Sequence, residues 1–98
     1  MTAITPASVV AAARDQVSAR VEGEFVILNL ADEVYYGLDG VGARVWELLS
    51  EPRAVSDVAS AIAAEYEVDA ETAERDLLAL LDELAGRKLV EVRDPPPS

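Results

Sequence analysis

The chain has no histidine and no cysteine. The commonest metal ligands are therefore missing, and so are the imidazole bases and thiolate nucleophiles of most hydrolases. Serine and threonine hydroxyls have no histidine to activate them. Disulfides are excluded, which fits a cytoplasmic protein. Positive charge is also scarce. Eight Lys and Arg stand against 19 Asp and Glu, for a net charge of −11. A field of that sign repels phosphates and anionic lipid, so nucleic acid and membrane are poor partners, while a basic or neutral peptide is permitted. Aromatic residues make up only 5%, so Val, Leu, Ile and Ala must build the core. No apolar run approaches the roughly 18 residues of a membrane span. The stretch 8–13 lacks the basic region that opens a secretory signal.

What is present is one domain's worth of sequence, 98 residues with 51% apolar content, enough for a single small core. The ordered part is expected at about 9–93. Residues 1–8 read as a flexible arm. The proline-rich tail 94–98 cannot form helix or inner strand, because proline lacks the amide donor.

Residues 17–21 alternate apolar and polar, then meet Gly23, as a half-buried strand meets a turn. Residues 25–28 are apolar on both faces, the mark of a central strand. Ala31, Asp32 and Glu33 turn the chain, and residues 34–38 return. Three helices follow. Asp39 is placed to cap the first, which carries Val41, Val45, Leu48 and Leu49 at helical spacing and docks through Trp46. Glu51-Pro52 stops it. The second runs from about Ala54 to Tyr66, with Ser56 either capping it or lying in its first turn. Asp69 caps the third, whose stripe is Ala73, Leu77, Leu80, Leu81 and Leu84 and which Gly86 ends. Residues 89–92 form a short extended piece. The expected class is α+β: a winged-helix-like domain, an N-terminal three-stranded antiparallel meander followed by three helices.

A winged helix suggests DNA, but the third helix has the wrong sign. It carries Glu71, Glu74, Asp76, Asp82 and Glu83 against Arg75 and Arg87. The acidic pairs are no better as catalysts. Asp82 and Glu83 point in different directions on a helix, and Asp32-Glu33 lies in a solvated turn that shifts no pKa. Gly37, Gly40 and Gly42 flank a helix start, but Asp39 there repels a phosphate. Tyr35 and Tyr36 fall on opposite faces of their strand, so one is expected in the core and the other as a wall of an exposed groove. If that strand is the edge of the meander, an extended peptide can add to it as a further strand. The alternative is a merely protected edge.

Residues 26–30, then Tyr35-Tyr36-Gly37-Leu38-Asp39, then 42–49, resemble the coenzyme-PQQ synthesis protein D family. So does the later run of Asp76, Leu77, Leu80, Leu81, Leu84 and Leu89-Val90. The resemblance spans about residues 17–92. Asp39 stands where the family often has asparagine, and Ala54 where it tends to place a capping Ser or Thr. The resemblance implies a non-catalytic peptide-recognition element without a cofactor. Stand-alone members of this length are similar to the leader-binding proteins of lasso-peptide clusters. They bind the leader of a ribosomally made precursor as a strand and present it to maturation enzymes, here a leader peptidase of cysteine-protease type. Carried onto this chain, the backbone of Val34, Tyr35 and Tyr36 pairs with the leader. Leu77, Leu80 and Leu84 line apolar pockets, flanked by Asp76 and Glu83. Much of that leucine stripe must be core whatever the function. The alternatives are a peptide chaperone in pyrroloquinoline quinone synthesis, or a winged-helix interaction or regulatory subunit.

Overall fold

A computed structural model describes residues 4–93. The tail 94–98 and the first three residues of the expected arm lie outside the described residues. The elements in chain order are β1 (Val9–Ala12), β2 (Gln16–Val21), β3 (Glu24–Asn29), β4 (Val34–Leu38), α1 (Gly40–Leu48), β5 (Arg53–Ala54), α2 (Val55–Tyr66), α3 (Ala70–Gly86) and β6 (Val90–Arg93).

The expected meander is β2-β3-β4, fully antiparallel, with β3 in the middle. Its first turn takes two successive left-handed residues, Glu22 at φ 51° and Gly23 at φ 87°. That is the turn whose twist matches paired strands, and glycine makes its second position easy. Phe25 and Ile27 face the core, with Ile27 fully buried. The α+β class and the order of meander before helices are borne out.

A second sheet, β5-β1-β6, was not foreseen. β1 runs antiparallel to β6, with Val9 opposite Arg93, and to β5, with Val9 opposite Ala54. The residues expected to form an arm are partly tied down from residue 4 onward. Ile4 packs on the core, and the Thr5 amide donates to Ser8 Oγ at 3.0 Å. The same segment solves a problem at α2. Ala54 offers its helix no side-chain cap. Instead the amides of Val55 and Ser56 donate to the carbonyls of Ser8 (2.9 Å) and Pro6 (3.0 Å), satisfying two of the orphan donors of a helix start. Ser56 therefore lies in the first turn.

Two other helix ends depart from expectation. Asp39 occupies the N-cap position of α1 but makes no side-chain capping bond, because Gly40 enters the helix at φ 53°, outside ordinary cap geometry. Asp69 does cap α3, accepting from the Thr72 amide at 3.2 Å. That helix runs through Gly86 rather than stopping before it. Lys88 takes the left-handed position at φ 61°, and the Leu89 amide closes back on the Leu84 carbonyl at 3.0 Å, a Schellman-type ending. The core joins both sheets and all three helices through Val10, Ile27, Val45, Trp46, Ile62, Leu81 and Leu84.

Candidate functional site: a free sheet edge beside the last helix

β4 is an edge strand. Its one neighbour is β3, and β1 sits in the other sheet. Among the described residues nothing pairs with the outer side of β4, so alternate N–H and C=O groups there lack strand partners. Register fixes the side chains. Val34 and Tyr36 lie on the inner face and Tyr35 on the outer, opposite Leu28. Tyr35 is 69% exposed, whereas Tyr36 packs half-buried against the core.

The inner side of this edge meets the C-terminal end of α3. The Arg87 guanidinium lies 4.8 Å from the centre of the Tyr36 ring, within cation–π range, and 3.9 Å from the Glu83 carboxylate. Burial pushes the Tyr36 phenol above its ordinary value, and the hydrogen bond and charge of Glu83 add to this; Arg87 opposes them. Asn29 fastens the corner. It is buried, its Nδ2 donates to the Arg87 carbonyl (2.9 Å), and its Oδ1 accepts from the Ala31 amide (2.9 Å). Asn29→Ala would strip partners from both groups. A loss of about 1–3 kcal/mol in stability is expected, measurable as a lower melting temperature.

Two cavities lie along α3, one at this corner and one toward the helix's N-terminal half. One of about 200 Å³ is lined by Val34, Tyr36, Asn29, Asp32, Arg87 and Leu89. The other, about 140 Å³ and mostly apolar, opens where α1, α2 and α3 meet. Val41, Tyr66, Val68, Leu77 and Leu80 line it, with Asp76 at its wall.

The expected site residues on α3 divide by helical geometry. Asp76, Leu80, Glu83 and Arg87 follow one another at three- or four-residue steps, so they form one row. Asp76 and Glu83 are exposed, and Leu80 is half-buried. Leu77, Leu81 and Leu84 form the next row and belong to the core. Leu77 still reaches the smaller cavity, but Leu84 is 0% exposed and presents no surface. Arg87 was not singled out from the sequence as a site residue. Its spacing of four from Glu83 was the available signal. Among the described residues no group of acids is placed to hold a metal ion, and no helix is long and apolar enough to cross a membrane.

Fold and site together define a class: small α+β domains that set an unpaired sheet edge beside their last long helix. The chain belongs to the family described as Coenzyme PQQ synthesis protein D (PqqD), whose profile matches residues 24–90. It is similar to TbiB1, solved in complex with the TbiA(beta) leader peptide, at 43% identity over 83% of this chain and 94% of that one, with a TM-score of 0.78. It is also similar to a lasso peptide synthetase B1 complexed with the leader peptide. There identity is 26%, coverage 84% and 96%, and the TM-score 0.75. A third similar structure is the PqqD truncation of Methylobacterium extorquens PqqCD, described as a functional, stand-alone recognition element for ribosomally synthesised and post-translationally modified peptides. It is 27% identical over 92% of this chain and 96% of that one, with a TM-score of 0.76. No curated protein sequence matches significantly.

Proposed function

We propose that this chain is a non-catalytic adaptor of lasso-peptide biosynthesis. It binds the leader of a precursor peptide as an added strand on β4 and delivers it to the leader peptidase in the cytoplasm, acting as one recognition domain. The observation that carries this reading is the unpaired edge of β4 beside the Asp76–Leu80–Glu83–Arg87 row. The likeness to leader-bound TbiB1 supports it. Two of the similar structures are leader-bound, and one of these is a lasso peptide synthetase B1, which favours the lasso reading over one in pyrroloquinoline quinone synthesis.

The energetics say where specificity must lie. Strand pairing uses main-chain groups, which ignore side-chain identity. Each such bond contributes only about 1 kcal/mol net. About four or five of them, less the entropy of ordering the leader, fall short of the roughly −8 kcal/mol of micromolar binding. Apolar anchors seated near Leu80 and Leu77 supply the rest. Val34, Tyr35 and Tyr36 offer the backbone, Asp76 and Glu83 flank the groove, and Leu84 supports it from beneath.

The test is a titration of the purified chain into a fluorescein-labelled synthetic leader. Saturable anisotropy with a Kd at or below about 1 µM is expected, with the peptide left intact by the chain alone. A flat titration with the cognate leader would sink the reading.

A further inference from the structure

The meander has a second open margin. In the order β2-β3-β4, β2 lies at the edge opposite β4, and among the described residues nothing pairs with its outer side. The strand is exposed from Val17 through Val21. Its register with β3 runs unbroken from Gln16 to Val21, so it has no bulge, and residues 16–21 hold no proline or lysine. Those are the usual devices that keep an edge from pairing. Turn geometry says which backbone groups are free. Val21 and Glu24 flank a two-residue turn and so exchange hydrogen bonds. At the other end of the strand the Leu30 amide donates to the Asp15 carbonyl at 3.1 Å. Asp15, Val17, Ala19 and Val21 therefore turn their N–H and C=O groups toward β3, and Gln16, Ser18 and Arg20 turn theirs outward.

The outward edge of β2 is complementary to itself. When a second copy lies antiparallel with Ala19 opposite Ala19, Ser18 falls opposite Arg20 on each side of the two-fold axis, and each such pair exchanges two backbone hydrogen bonds. Val17 falls opposite Val21, again on both sides. These side chains are 56% and 51% exposed in the single chain and become cross-strand apolar pairs. At the axis the two Ala19 residues form a non-hydrogen-bonded pair, the closest approach in an antiparallel ladder, and a methyl side chain fits it. Gln16 falls opposite Glu22, so no like charges oppose each other. Charge favours the same occupant. The chain as a whole carries −11, but over residues 14–22 Arg14 and Arg20 balance Asp15 and Glu22. Two copies thus meet along a locally neutral margin.

We infer that the chain forms a two-fold dimer by pairing β2 with β2 of a second copy, which joins two three-stranded sheets into one. Both β4 edges lie at the outer margins of the joined sheet and stay open. In the reading proposed above, which the pairing itself does not require, the dimer holds two leaders at once. A single strand pair buries less than about 1,200 Å², the size of weak or transient contacts, so monomer and dimer exchange and protein concentration sets their ratio.

The experiment is sedimentation velocity on the full chain from about 1 µM to about 200 µM. The wild type should shift from a 10.5 kDa species toward twice that mass. V17K/V21K and V17E/V21E each set like charges opposite one another and should raise the dimer dissociation constant about tenfold or more. Mixed in equal amounts they should form a heterodimer, because each lysine then meets a glutamate. Ser18→Pro removes an outward donor and leaves the bonds to β3 intact, so it should stay monomeric, with melting temperature and leader binding near wild type. A wild type that is monomeric at the highest concentration would overturn the inference, as would charge variants that dimerise normally or fail to recover on mixing. So would dispersal of the dimer by saturating leader, which would place the contact on β4. Failure of the leader reading shows separately, as a flat anisotropy titration, and leaves the sedimentation result standing.

Discussion

Leu84→Ala should remove about 2–5 kcal/mol of stability, the range for a leucine deleted from a packed core. Leu84 has no exposed surface and shares its cluster with Ile27, Leu81 and Leu89. A domain of this size has roughly 5–15 kcal/mol in all. The variant should therefore melt more than about 10 °C below the wild type. Its urea midpoint should fall while the slope of the transition holds, because the surface exposed on unfolding is little changed. Leader binding should persist at temperatures where the variant remains folded. A variant that melts normally yet no longer binds leader would mean that Leu84 touches peptide and that α3 sits differently.

Leu80→Ala should have the reverse signature. Leu80 lies one row over from Leu84, half-buried, on the wall of the apolar cavity. Truncating it removes part of an anchor pocket. A fully buried anchor contributes about 1.5–3 kcal/mol, so leader affinity should fall roughly tenfold to a hundredfold, with only a small shift in melting. Asp76→Asn and Glu83→Gln change exposed charges. Exposed ion pairs contribute about 0.2–1 kcal/mol, so these two should cost no more than about fivefold. Anisotropy titrations of all three, each with a thermal melt, separate the cases. If the charge variants lose more than Leu80→Ala, recognition in this groove is electrostatic and the anchor account fails.

The contrast between Leu80 and Leu84 shows how far a single sequence reaches. Spacing of 3.6 residues revealed that α3 has an apolar stripe, and Asp69 marked its start. The stripe is wide enough for two rows, and periodicity does not say which row faces a groove. That depends on where β4 lies, which is a tertiary fact. β4 itself was legible to the residue, because Val34 to Leu38 sits between a turn and a helix start and is rich in aromatic and β-branched side chains. β1 was not. Val9–Ala12 is short and half alanine, and its partners lie in β5 and β6, far along the chain. The weak cap at Ala54 was visible, but its remedy came from the carbonyls of Pro6 and Ser8, which no local pattern announces. Arg87 escaped for the same reason, since its role depends on Tyr36 folding over it.

The pairing of Val9 with Arg93 has a practical corollary. Across an antiparallel pair the two backbones are only about 5 Å apart, so the polypeptide comes in and goes out at neighbouring points. Those points belong to the small β5-β1-β6 sheet, not to the one that carries β4. The unit is thus wired like a plug, with both leads on one side. It can be spliced into a loop of a larger enzyme, or tethered at either end, without pulling on the margin where a guest strand would zip in.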